Sequence, residues 1–332
     1  MHRFRLLILL GLLLSAFSFS APFGARPRPN GNWGGQLSTC YAADQWSGTG
    51  AAQFLRIPMG ARQSAMGEAF CAVSDDVMAV WWNPAGLMQL NERHLAFSHA
   101  FWLGDTNLDF LGYAQKIKGL GALGGGISWL YYGTLKGMND SGDPTQDFSA
   151  YDMLWTVSYA GSFSRDVLFG ANLKFIRQAV ENAGGNSWAA DFGLLFKSEV
   201  FKNLNFACVF RNMGPDLKVA DELRPLPYST TIGASSKFLG DALTIACDVD
   251  IPSNQPVGIH IGAEYWQEGM IAFRGGYRTD FIQDHGVLSG ICFGMGFNYL
   301  FPETGMVLNI DYAFIPYGDL VGTHRFSTIL KF

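Results

Sequence analysis

The stretch Gly305–Ile315, GMVLNIDYAFI, alternates with period two. Met306, Leu308, Ile310, Tyr312 and Phe314 share one face, and Val307, Asn309, Asp311 and Ala313 the other. Successive side chains of a strand point to opposite sides, so this spacing predicts a β-strand with one apolar, aromatic face. The pattern recurs upstream. In 256–266, Val257, Ile259, Ile261, Ala263 and Tyr265 oppose Gly258, His260, Gly262 and Glu264. In 150–163, Tyr151, Met153, Trp155, Val157, Tyr159 and Phe163 oppose a face with Asp152, Thr156 and Ser158. Related segments occupy 94–103, 107–117, 122–132, 167–178, 188–197, 203–212, 228–238, 242–251, 270–279, 287–299 and 323–332, for fourteen strands in all. Most are near the 9–11 residues that a tilted transmembrane strand requires.

The second face decides what lies on either side of these strands. It carries Asp109, Lys174, Asp191, Arg211, Lys237, Asp248, Asp250, Glu264, Arg274 and Arg325 among many Gly, Ala and Ser residues. The exposed face of a soluble sandwich would hold far more Lys and Glu. Charged residues are only 15% of the chain, where about 25% is usual. A wet or plugged lumen inside and lipid outside fit this composition. After residue 20 no run of 18 apolar residues occurs, so a membrane could be crossed only by strands. With the first strand running outward, inner turns fall at 118–121, 164–166, 198–202, 239–241, 267–269 and 300–304. Longer outer connections fall at 133–149, 179–187 and 213–227. Short turns on one side and long loops on the other characterise outer-membrane barrels. The chain ends in HRFSTILKF, with Phe326, Thr328, Leu330 and the terminal Phe332 on one face. Phe326, Leu330 and Phe332 are therefore the expected recognition signal for the barrel-assembly machinery. The fold class is all-β: a fourteen-stranded antiparallel transmembrane β-barrel closed by pairing its first and last strands, which removes both edges.

Four segments follow. Residues 1–20 place His2, Arg3 and Arg5 before an apolar run from Leu6 to Leu14 and small residues near Ser20, the pattern of a signal peptide. Residues 21–53 are rich in Pro, Gly, Ser and Asn and read as a flexible periplasmic linker. Residues 54–93 form a compact segment of a different kind, and 94–332 the barrel. In 54–93, Ser74 and Asp75 can cap a short helix ending near Trp82, with Asp76 in its first turn. Asn83 can cap a second turn with Pro84 at its first position. Met78, Val80, Trp81 and Trp82 are too apolar to stand in water, so this short helical segment is expected to fold into the lumen as an N-terminal hatch.

The same segment resembles the N-terminal signature of the PorV/PorQ family, within the FadL-like group of fatty-acid-transporter barrels. The matching residues are Gly60-Ala61-Arg62, Met66-Gly67-Glu68-Ala69-Phe70, Ala72-Val73-Ser74-Asp75-Asp76 and Trp82-Asn83-Pro84-Ala85-Gly86-Leu87. Trp81 doubles the usual aromatic, and Cys71 replaces a small polar residue. The resemblance implies fourteen strands and a hatch seated by Arg62, Gly67, Asp75, Asp76, Asn83, Pro84 and Gly86. It also implies a non-enzymatic component of protein secretion or surface-protein handling of the type IX kind, with secretion subunits or secreted cargo as partners. The alternatives are a FadL-like transporter of hydrophobic small molecules, with such a ligand as partner, and a structural envelope scaffold. All three place the chain in the outer membrane of a Gram-negative-type bacterium, with outer-membrane lipid around it.

Other motifs carry less. Gly119–Gly124 matches GxGxxG but continues into an alternating strand rather than a helix, so it is no dinucleotide site. Asp248 and Asp250 are expected to pair with neighbours such as Arg274 rather than to act as catalytic carboxylates. Asp140, Asp143 and Asp147 lack the spacing of a calcium loop. The five cysteines form no CxxC, and Cys208 and Cys247 sit on apolar faces as small hydrophobes. A formal net charge of −5 without a basic cluster excludes nucleic acid as a partner. No catalytic residue, cofactor site or metal site is expected.

Overall fold

The computed structural model describes residues 50–332 apart from 140, 182, 199, 200, 202, 220, 221, 281–286 and 318–321. Fourteen strands close into an antiparallel barrel. They are β1 (His94–Phe101), β2 (Asn107–Ile117), β3 (Gly121–Leu135), β4 (Phe148–Ser162), β5 (Val167–Val180), β6 (Ala183–Lys197), β7 (Leu204–Met213), β10 (Ser229–Phe238), β11 (Leu243–Pro252), β12 (Gly258–Gln267), β13 (Ile271–Arg278), β14 (Ile291–Leu300), β15 (Val307–Ile315) and β16 (Thr323–Lys331). A small hairpin, β8 (Leu217–Val219) with β9 (Glu222–Arg224), stands outside the wall sequence. Strand β1 pairs with β16 from His94↔Lys331 to Phe101↔His324, and Arg93 and Phe332 exchange backbone hydrogen bonds. Phe326 and Phe332 are exposed on the outer face of that seam.

Alternation translates directly into sidedness. Ile259, Ile261 and Tyr265 are exposed, whereas His260 and Glu264 are buried. The exposed set includes Leu111, Trp129, Val157, Leu173, Phe273 and Phe293, an apolar belt of the kind lipid covers. Asp109 breaks the expectation. It faces outward near the loop end of β2 and meets His99 Nδ1 at 2.7 Å, so a neighbouring imidazole satisfies it on the outer face.

Connections at the end where β16 finishes are short throughout. At the other end two expected loops are shorter than the sequence suggests. Strands β5 and β6 continue until Val180 pairs with Ala183, which replaces the loop foreseen at 179–187. The connection after β3 shrinks to 136–147, with a register shift between Tyr131 and Thr134. Here the strands rise to a height where both faces meet water, so the period-two signal fades although pairing continues. Between β7 and β10 the connection does stay long and holds the β8–β9 hairpin.

The plug is larger than foreseen. Ala51 and Ala52 are buried, and Gln53–Arg56 forms a 3-10 turn, so the structured segment begins by residue 50 rather than 54. Single helical turns follow at Ala61–Ala65 and Ala79–Trp82, then a 3-10 turn at Pro84–Gln89. Its course spans the barrel from end to end. Ala51 N donates to Pro225 O and Ala52 N to Gln178 Oε1, both at the long-loop mouth. Lys116 Nζ donates to Met88 O at the short-turn mouth, just before the chain enters β1.

Candidate functional site: a latched plug in the lumen

A plug with little regular structure has many backbone groups that need partners once buried. The polar face of the barrel supplies them. Asp248 Oδ2 accepts from Phe70 N at 2.9 Å and Cys71 N at 2.8 Å. Ser327 Oγ accepts from Ala61 N at 2.8 Å, Asn172 Nδ2 donates to Val80 O at 2.8 Å, and Ser235 Oγ donates to Ala72 O at 2.9 Å. Arg325 donates to Pro58 O and, at 3.1 Å, to Ser64 Oγ. Asp248 is thus a plug acceptor and not the partner of Arg274. Arg274 instead holds Glu264 at 2.6 Å and Asp311 at 2.8 Å, while Asp250 meets Arg211 at 3.4 Å.

Arg62 is the centre of the ionic contacts. Its guanidinium meets Asp75 at 2.6 Å and Asp76 at 3.0 Å within the plug, and Glu264 of β12 at 2.7 Å. Its fork grips Glu264 with two donors, Nε at 2.8 Å and Nη2 at 2.7 Å, geometry that lysine cannot reproduce. One cation therefore joins two plug segments to the wall. Burial raises the Asp75 carboxyl, but Arg62 outweighs it and the net position lies below the ordinary value. For Asp76 burial prevails and the carboxyl sits higher than usual. Sequence proximity foresaw Asp75 as a helix cap, yet the helical turn starts only at Ala79 and Ser74 Oγ donates to Phe70 O. Asp76 takes the local role instead, accepting from Met78 N at 2.7 Å.

Asn83 caps the turn at Pro84, its Oδ1 accepting from Ala85 N at 3.1 Å. The same amide donates to Cys71 O at 2.9 Å and to Leu194 O of β6 at 3.3 Å. Asn83→Ala is expected to cost about 1–2 kcal/mol for the cap, and more for the carbonyls left behind. Limited proteolysis of the plug, faster in N83A than in wild type, checks this, and unchanged cleavage refutes it. Gly86 lies against Ser74, whose carbonyl occupies the place of a Cβ. Gly67, at φ 62°, lies against Gly276 and Tyr277 of β13, where its own Cβ would come within 2.7 Å of Tyr277 N.

Trp81 and Trp82 are buried, the indole of Trp82 donating to Met59 O at 2.9 Å. Lys174 stands over the Trp81 ring and Arg211 over the Trp82 ring. These cations, with Asp191 at 2.7 Å from Lys174, were visible as lumenal charges, but their partners were not. A bulge in β7 explains this: Phe210 and Met213 pair with Phe192 and Ala190, leaving Arg211 and Asn212 an extra residue that aims both inward.

Two cavities flank the upper plug. One, of about 630 Å³, opens at the long-loop mouth between Gln53, Phe54, Tyr132, Asp152, Gln178 and Val219. The second, of about 220 Å³, lies beside Arg56, Trp81, Trp82, Trp102, Arg211 and Tyr317. Gln53 lines both. Among the described residues no group of three or more His, Cys, Asp or Glu could hold a metal, and Asp140 lies outside them. Cys71, Cys208, Cys247 and Cys292 are free thiols.

A closed fourteen-stranded barrel threaded by an N-terminal plug is the fold of the FadL-type outer-membrane barrels. Among solved structures, the Pseudomonas putida toluene transporter TodX aligns with a TM-score of 0.57 at 12% identity, covering 82% of this chain and 97% of its own. The Ralstonia pickettii toluene transporter TbuX gives 0.55 at 15%, covering 82% and 97%. A Pseudomonas aeruginosa FadL homologue gives 0.55 at 11%, covering 83% and 98%. Within this class the chain belongs to the uncharacterised protein family UPF0164, whose model matches residues 38–247. No curated protein matches it.

Proposed function

We propose that this protein is an outer-membrane channel for hydrophobic small molecules, opened by movement of its plug. The observation that carries the reading is the pair of cavities joined at Gln53, which step from the outer mouth down to the indoles of Trp81 and Trp82. Both cavities border the plug, so a molecule seated there presses on the element that blocks its path. The lining mixes rings with amides and carboxylates, which suits a solute with an apolar body and a polar end. FadL-type neighbours, two of them toluene transporters, support the transport reading over a role in protein secretion, for which no matched structure speaks. The PorV/PorQ resemblance therefore rests on the plug signature, and the fold it shares with the FadL-type barrels serves transport equally.

The test is binding followed by passage. Titrating the purified barrel with toluene and with oleate, while following tryptophan fluorescence, is expected to give saturable quenching with at least one probe. Liposomes carrying the barrel should then take up that probe faster than empty ones. Absence of binding by both probes, with secreted protein or translocon subunits copurifying instead, would overturn the proposal in favour of secretion.

A further inference from the structure

We infer that the chain reaches the plug from the outer side, so that the residues immediately preceding Gly50, Cys40 among them, are exposed at the cell surface. A plug that followed a periplasmic linker should have its first residue at the mouth where the short turns lie. Here the opposite holds. Gly50, Ala51 and Ala52 sit among groups of the long-loop end: Pro225 between β9 and β10, Gln178 three residues from the end of β5, and Asn254 between β11 and β12. Arg56 Nη1 fixes the next turn to Asn254 Oδ1 at 3.0 Å. Contacts then descend in order. Pro58 meets Arg325 near the outer end of β16, and Ala61 meets Ser327 one pleat lower. Ala85 approaches Gly170 near the inner end of β5, and Met88 reaches Lys116 at the inner end of β2.

A chain starting at that mouth could regain the periplasm only by passing down the lumen beside the plug or through the lipid. The lumen has no room. Ala61, Ala65, Met66, Ala69, Phe70, Val77 and Met78 are wholly buried between plug and wall. Backbone of the plug lies so close to Gly262 and Gly276 of the wall that even a Cβ would collide. An extended polypeptide needs a channel with hydrogen-bond partners along its length, and passage through lipid would leave its amides unpaired. The remaining direction is outward.

Cys40 is a native reporter. Among the other cysteines, Cys71 and Cys292 are buried in the barrel and Cys247 faces the apolar belt. Intact cells producing the full-length protein are treated with a membrane-impermeant maleimide, and the modified peptide is mapped, with C40S as the control. An epitope inserted between Ser47 and Gly48 provides a second reporter, probed with antibody on intact and permeabilised cells. Assembly of each variant is checked by the heat-dependent gel shift of folded barrels. The expected result is epitope staining without permeabilisation, with maleimide on Cys40 wherever that thiol is unmodified. Staining that requires permeabilisation in an assembled barrel would overturn the inference. The outcome is independent of the ligand, since a secretion component or a scaffold with this plug would show the same sidedness.

Discussion

Replacing Arg62 with alanine is expected to loosen the plug while leaving the barrel assembled. The substitution leaves Glu264, Asp75 and Asp76 without the cation that all three share. Removing one partner of a buried ion pair costs about 3–5 kcal/mol, because the remaining charges stay desolvated and unpaired. Glu264 keeps Arg274 at 2.6 Å, so the wall retains its own compensation and the loss falls on the plug. At about 1.4 kcal/mol per tenfold, amides of 61–90 should exchange on the order of a hundredfold to a thousandfold faster, with strand amides little changed. R62K keeps the charge but loses the two-donor grip on Glu264 and should fall between the two. Equal exchange in R62A and wild type would mean that the ionic cluster does not hold the plug.

Deleting residues 50–90 should convert a closed barrel into an open pore. The cut leaves Arg93 to pair with Phe332, so the β1–β16 seam survives. What remains inside is a wall bearing Lys174, Asp191, Asp248, Glu264, Arg274 and Arg325, which water can solvate once the plug has gone. In planar bilayers the wild type should stay near the baseline, and the deletion should give stable, resolved conductance steps. The two experiments separate mechanical from electrostatic blocking: R62A should flicker, whereas the deletion should remain open. An assembled deletion variant that fails to conduct would show that the wall collapses inward without the plug, and that the segment is an internal core and not a stopper.

Much of this was legible from local pattern. Alternation located all fourteen wall strands and their facing, because each strand meets lipid on one side and packed polar groups on the other. The turn at Asn83-Pro84 was also readable, since a cap and a proline at the first helical position act within a few residues. Partners across the lumen were not. Asp248 serves the amides of Phe70 and Cys71, 178 and 177 residues away in the chain, and Arg274 turns to Glu264 and Asp311. Asp109 looked lumenal by charge, yet pairs with His99 on the outer face.

The sequence by itself determined the barrel: a period of two over strands of sufficient length, with a small and polar second face, leaves a closed transmembrane sheet as the solution for a chain that must satisfy every backbone group in lipid. It also marked the island before His94 as something that must be buried. Only the tertiary structure decided how that island lies. Its length, its descent from the loop-side mouth to the inner turns, and its fastening through Arg62 depend on which wall residues meet it inside a closed cylinder. Those contacts join positions far apart in the chain, and no local spacing encodes them.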